Sequence, residues 1–364
     1  HKEIMKSTHH LHKFKNFKKI DKIFRVRSAL DRHEKIRLDK NERPSDFESN
    51  FINKIKSKIN SNYLNAYPEI EPIYNMLSKK LRVDKKMLVL SAGSDMAIRN
   101  CFELLVKPRD KIITISPTYG MINVYAKLFD ANQVNINFNN KFELDVDKLI
   151  KKIDYKTKLI IFANPNNPTG TIIERKHIIN ILKKAKQFNC YVLVDECYYG
   201  FCNFTVLPYL KKFSNLIISR SFSKGYGLAG CRAGFLIANK DTARRLYKFR
   251  PMYEINSFAV LVIKEILNDK TIFKKYLQEV NKGKKYLIKN LNKLGFSYHN
   301  THTNLLLVDF KTQKFKMRIF NFFKRKNILV MPRPYAPGCE NYLGFTLGPV
   351  KYMKLVINNL IKFK

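Results

Sequence analysis

Lys224 stands apart from the other cationic side chains of this sequence. It lies in "SRSFSKGYGLAGCRAGF" (219–235), between the hydroxyls of Ser221 and Ser223 and a glycine-rich turn, with Arg232 eight residues further on. Most of the 69 Lys and Arg residues fall instead in polar runs such as "KKAKQ" and "KRKN", which read as solvated faces. An amine set among glycines and hydroxyls after an apolar run reads as a reactive group on a tight loop. Two further apolar runs end on polar groups: "YVLVDECYYG" on Asp195 and Tyr198, and "KLIIFANPNNPTG" on Asn167 and Gly170. In "SAGSDMAI", Gly93, Ser94 and Asp95 fall where a strand gives way to a helix, which offers backbone N–H groups and a hydroxyl to a dianion.

The elements that must position these groups are legible as alternating runs. Apolar stretches at 87–93, 111–117, 158–165, 191–196, 215–221 and 234–240 read as buried strands, separated by segments long enough for crossover helices. That order predicts an α/β fold, with a mostly parallel sheet in a large domain and helices on both faces. From about Phe249 the chain turns helix-rich and returns to short strands, "NLLLVDF" and "YLGFTLG", which predicts a smaller α+β domain. The expected division is a basic N-terminal arm (1–34), a large domain (61–245) and a small domain built from 35–60 and 246–364. Ligands of open parallel sheets bind beyond the carboxyl ends of the strands, so the amide, the carboxylate with its phenol, and the amine meet in one crevice.

Pyridoxal phosphate needs that set. An amine forms its Schiff base, a carboxylate keeps its ring nitrogen protonated, donors hold the ring oxygen, and a cradle takes the phosphate. Ser221, Ser223 and Arg232 add two hydroxyls and a permanent cation to the Gly93–Asp95 turn.

With those residues in hand, the chain resembles the fold-type I, class I/II aminotransferases, and within them the histidinol-phosphate aminotransferase group. The resemblance runs from about Leu38 to near the C-terminus and rests on "LDKNERP", "AYPE", "PTYGM", "NPNNPTG", "DECYYGF" and "SFSKGYGLAGCRAGF", in the family's order. It implies that Lys224 is the Schiff-base lysine and proton carrier, that Asp195 pairs with the ring nitrogen, and that Asn167 and Tyr198 hold the ring oxygen. Tyr119 of "PTYG" would stack on the ring, while Gly93, Ser94, Asp95, Ser221, Ser223 and Arg232 would line the phosphate end, Asp95 mainly through its backbone. Tyr67 of "AYPE" would reach the phosphate of a partner subunit, which implies a homodimer with shared sites.

One departure bears on substrate. The family's C-terminal strand carries an arginine for the substrate carboxylate; the corresponding stretch here reads "YLGFTLG", with Gly344 in its place, and Met331 of "ILVMPRP" occupies a second basic position. Arg43 and Asn41 of "KNERP", Arg333 and Arg250 are the candidates to contact substrate instead, Arg43 and Arg333 foremost. The expected function is therefore transfer of an amino group between an amino acid and a small, phosphorylated carbonyl compound. The alternative on the same scaffold is decarboxylation of a phosphorylated amino acid. A third reading is a non-enzymatic regulator that carries this fold.

Composition bounds the rest. At 364 residues and 45% hydrophobic, the chain can bury a substantial core, and no apolar run approaches the length of a membrane span. The N-terminal stretch is basic without an apolar h-region, which reads as cytoplasmic. The six cysteines have no paired CxxC spacing, so neither zinc nor a disulfide framework is expected. The net charge of +40 is spread along the whole chain, without a local basic stripe, which argues against a specific nucleic-acid site. His1, His9, His10, His12 and His33 lack ligand spacing and read as part of the basic arm, not a metal site.

Overall fold

The computed structural model describes residues 31–332 and 336–363, together with Asp21 and Ile23. The basic arm up to residue 30 otherwise lies outside the described residues, as does Arg333.

Seven strands form the larger sheet: β2 (Leu88–Ser91), β3 (Lys111–Ser116), β4 (Asn132–Asn137), β5 (Thr157–Ala163), β6 (Tyr191–Asp195), β7 (Leu216–Ser221) and β8 (Gly234–Ala238). Their order is β2-β8-β7-β6-β5-β3-β4. From β4 to β7 every pairing is parallel, and β8 runs antiparallel to both of its neighbours. The central strands are apolar throughout because both faces are covered. In β5, Ile160 and Phe162 enter the core on one face while Leu159 and Ile161 enter the core on the other. Each such side chain contributes about 1.5–3 kcal/mol by leaving water. The edge strand β4 was not expected: its sequence "NQVNIN" is mostly polar, and only Ile136 is buried.

The smaller sheet has five strands, β1 (Ile36–Leu38), β9 (Ser297–His299), β10 (Leu305–Asp309), β11 (Ile328–Pro332) and β12 (Tyr342–Thr346), in the order β1-β11-β12-β10-β9. The helix Lys270–Leu294 packs against the helix Val350–Leu360, and both share a core with Leu306, Val308, Val330 and Phe345. Gly283 permits the approach, because a Cβ there would meet the Gly348 carbonyl oxygen at 1.8 Å.

The boundary expected at 246 does not coincide with this division. Ala259, Val260, Ile263 and Ile266 of the helix Ser257–Asn268 are buried in the core of the larger sheet, and so is Phe51. Their apolar faces are satisfied by the helix Glu71–Leu81 and its surroundings, so these segments pack with the larger unit.

The two sheets meet at the C-terminal ends of β5, β6 and β7. The His302 N–H donates to the Gly170 carbonyl (2.9 Å), and Asn41 Nδ2 donates to the Tyr198 hydroxyl (2.8 Å). A Cβ on Gly170 would lie 2.9 Å from Thr301 Cα, so this turn takes glycine both for contact and for its φ of 72°.

Candidate active site

A cavity of about 600 Å³ opens at that junction. It is lined from the larger sheet by Ser94, Asp95, Tyr119, Asn167, Asp195, Tyr198, Ser221, Ser223, Lys224 and Arg232, the groups singled out by type and spacing. Each arrives for a local reason. β6 ends on Asp195, the turn that follows carries Tyr198, and β7 runs through Ser221 to the loop bearing Lys224.

Lys224 Nζ donates to the Lys40 carbonyl (2.8 Å). Asp195 is buried, and Ser219 Oγ donates to its Oδ1 at 2.6 Å. Burial pushes the Asp195 carboxyl up to about 6, although Ser219 and Cys197 favour its charged form. The Tyr198 hydroxyl accepts from Asn41 Nδ2 (2.8 Å), and Asn41 lines this cavity. Tyr119 is held at its hydroxyl by Asp95 Oδ1 (3.3 Å), and burial raises its phenol beyond the ordinary range.

The anion cradle forms at the N-terminus of the helix Gly93–Leu105, whose N-cap residue, Ala92, makes no side-chain capping bond to the first-turn N–H groups. Asp95, in that first turn, turns its carboxylate to the hydroxyls of Tyr119 and Tyr125. A Cβ on Gly93 would come within 2.9 Å of Arg232 Nη2, so glycine brings the guanidinium against the helix end. Arg232 Nη1 also donates to Ser223 Oγ (3.3 Å), and Ser221 Oγ accepts the Ser223 N–H (3.0 Å).

These residues fit pyridoxal phosphate. The helix end, Arg232 and the two serines suit its phosphate, and Asp195 suits a pyridinium, since a cation would relieve the cost of burying its charge. Among the described residues the Asn167 side-chain oxygen is buried without a hydrogen-bond partner, and Asn167 and Tyr198 share the lining.

Other expectations land elsewhere. Arg43 does not line this cavity: its guanidinium lies over Phe47 (4.2 Å) and Tyr276 (4.6 Å) and donates to the Ser45 and Asp46 carbonyls. Its Cδ covers Gly227 in the Lys224 loop, where a Cβ would meet it at 2.7 Å. Arg250 is likewise outside, paired with Glu254 (3.0 Å) and stacked over Tyr247. Tyr67 is 77% exposed, stacks on Tyr253 and does not line this cavity.

From the smaller sheet's side the lining takes residues 39–42, which follow β1, and Met331, whose direct partner across β11 and β12 is Gly344. Opposed residues of an antiparallel pair share a face, so a side chain at 344 would point the same way as Met331. Sequence reasoning missed Asp39, Lys40, Glu42 and Cys197 in the lining, and Ser219 beneath it. Asp39 and Glu42 are tied to Arg32 (2.6 and 3.4 Å), and Glu42 also to Arg37 (3.3 Å). Ser219 had a signal: it stands two residues before Ser221, on the same face of one strand.

The sequence matches the aminotransferase class I and II family over residues 35–359. A histidinol-phosphate aminotransferase of Clostridium novyi (strain NT) is 34% identical over 298 residues, covering 80% of this chain and 82% of its own. Two solved structures share the fold. The histidinol-phosphate aminotransferase of Sinorhizobium meliloti in complex with pyridoxal-5'-phosphate has a TM-score of 0.82 at 20% identity, covering 93% of this chain and 95% of its own. The L-threonine-O-3-phosphate decarboxylase of Porphyromonas gingivalis has a TM-score of 0.76 at 20% identity, covering 90% and 99%. The chain therefore belongs to the class I and II aminotransferase family and is a pyridoxal-phosphate-dependent enzyme.

Proposed function

We propose that this aminotransferase moves an amino group between an amino-acid donor and a small phosphorylated carbonyl compound, as a homodimer in the cytoplasm. The observation that carries the substrate reading is that Met331 lines the cavity with Gly344 as its cross-strand partner, two positions that supply no cation, together with the name of the C. novyi relative, which specifies a phosphorylated amino alcohol.

Bound pyridoxal phosphate supplies the electron sink for charge drawn from the substrate's Cα. The protein's own groups do the rest. Lys224 Nζ would take the proton from the donor's Cα and release it away from that carbon, and Asp195 would supply the negative charge for the ring nitrogen. Asn167 and Tyr198 hold the ring oxygen, with Asn41 orienting the Tyr198 hydroxyl. Gly93, Ser94 and Asp95 through their backbone, with Ser221, Ser223 and Arg232, bind the phosphate. Tyr119 would cover the ring.

The homodimer is supported by an exposed aromatic and aliphatic surface. Leu64, Tyr67 and Met252 are 79%, 77% and 76% exposed, Tyr67 stacks on Tyr253, and Tyr63 contacts Phe258. Such a surface suits a second copy of the chain, with Tyr67 reaching the partner's phosphate end. The cytoplasmic setting is supported by free thiols at Cys101, Cys190, Cys197, Cys202 and Cys231, and no described helix is long and apolar enough to cross a membrane.

The test is a half-reaction: the enzyme loaded with pyridoxal phosphate is mixed with glutamate alone, and 2-oxoglutarate is quantified. Stoichiometric release that is absent from Lys224→Ala supports the reading. No release with glutamate, combined with carbon dioxide release from a phosphorylated amino acid, replaces it with decarboxylation.

A further inference from the structure

Asp195 is served by a residue that lies just below the cavity. Asp195 ends β6 and Ser219 lies on β7, and the two are register partners in adjacent parallel strands, so their side chains share a face. Ser219 is fully buried, and its Oγ donates to Asp195 Oδ1 at 2.6 Å, inside the range of charge-assisted O–H···O⁻ bonds. Ser221, two residues along the same strand, stands on the same face and lines the cavity. One strand thus carries a hydroxyl for the floor of the site and a hydroxyl for its wall.

We infer that Ser219 is a positioning residue for the cofactor: by occupying Oδ1 of Asp195 it keeps that carboxylate charged and presents Oδ2 to the cofactor's ring nitrogen. The inference rests on the pyridoxal-phosphate reading above. Its physical basis is that a buried carboxylate without a cation is costly, and one hydroxyl donor offsets part of that cost in the unliganded protein.

The surroundings of Asp195 leave room for this effect to be read. From its own turn it meets Cys197, which favours the charged form. Glu196 opposes that charge but is turned away, its Oε2 accepting from Arg220 Nε (3.0 Å) and Nη2 (2.8 Å). Across the cavity it faces the Tyr119 phenol and shares the lining with the Lys224 amine, Asp95 and Arg232. Burial pushes the Asp195 carboxyl up to about 6, so loss of a donor moves a group that already titrates near working pH.

The experiment measures the affinity of the unliganded protein for pyridoxal phosphate as a function of pH, by equilibrium dialysis, for wild type, Ser219→Ala and Ser219→Thr. Comparison at each pH cancels the cofactor's own titration. Ser219→Ala is expected to weaken binding by about tenfold near neutral pH, the worth of one hydrogen bond to a charged group. It is also expected to move the acid limb of the affinity profile upward by about one pH unit. Ser219→Thr, which retains the hydroxyl, should restore both. A merely structural serine would lower thermal stability and leave the pH profile in place. An unchanged profile in Ser219→Ala, or one that Ser219→Thr fails to restore, overturns the inference while leaving the cofactor reading intact. A wild-type protein that binds no pyridoxal phosphate at any pH overturns both.

Discussion

Replacing Asp195 by Asn should stabilise the cofactor-free protein at neutral pH while disabling it. Asp195 is 2% exposed, and burial holds its carboxyl near 6 even with Ser219 and Cys197 favouring the charged form. Against an ordinary aspartate of about 3.9, a shift of roughly two units corresponds to about 3 kcal/mol. The sign follows from proton binding. The folded protein holds this proton more tightly than the unfolded chain, so the penalty is absent below about pH 4, grows as pH rises toward about 6, and is complete at neutral pH. Asn keeps the shape, removes the charge, and leaves an amide oxygen to accept from Ser219 Oγ. Urea unfolding of the two cofactor-free proteins between about pH 4 and 8 should show them nearly equal at the acid end. By neutral pH the Asp195→Asn protein should be ahead by about 3 kcal/mol. With pyridoxal phosphate added, the same variant should lose at least about a hundredfold in rate, because no negative charge faces the ring nitrogen. A stability difference that does not change with pH, or a variant less stable than wild type at neutral pH, would refute the reasoning.

Other expectations follow from contacts outside the cavity. Arg220 forms a buried pair with Glu196 (2.8 Å), donates to Thr205 and lies over the Tyr199 ring at 3.8 Å, so Arg220→Ala strands a buried carboxylate and should cost about 3–5 kcal/mol in urea unfolding. Gly283→Ala would put a Cβ 1.8 Å from the Gly348 carbonyl oxygen, and the helix Lys270–Leu294 must shift; a loss of about 1–3 kcal/mol in thermal unfolding is expected, and an unchanged melting temperature would contradict the packing. Arg43→Ala should lower stability by about 1–2 kcal/mol through its lost stacking on Phe47 and Tyr276. Because Arg43 lies outside the cavity, its removal should change KM for either substrate by less than about threefold in steady-state kinetics.

Much of the site was legible because its chemistry is concentrated at the ends of apolar strands. Lys224, Asp195, Tyr198 and Asn167 each follow such a run within a few residues, and strand ends in a parallel sheet converge. What escaped was decided by long-range contact. Asp39, Lys40 and Glu42 reach the cavity only because β1 pairs with β11, a partner almost 300 residues away in Ile36↔Ile328. Arg43 has the charge for substrate binding, yet an aromatic sandwich from the helix Lys270–Leu294 and Phe47 claims its guanidinium. The edge strand β4 carries too little apolar pattern to announce itself, since one of its faces is open to solvent. The placement of Ser257–Asn268 is likewise a matter of long-range contact: its apolar residues are buried in the core of the larger sheet, against Glu71–Leu81 among others.

The central claim, that Lys224 bonds the cofactor in a site framed by Asp195 and Arg232, is tested most directly by borohydride reduction of the loaded protein followed by peptide mass mapping. The expected result is a single stoichiometric pyridoxyl-phosphate adduct on the peptide carrying Lys224, absent from the Lys224→Ala protein. An adduct on another lysine, or none above the background of the many surface amines, would contradict it.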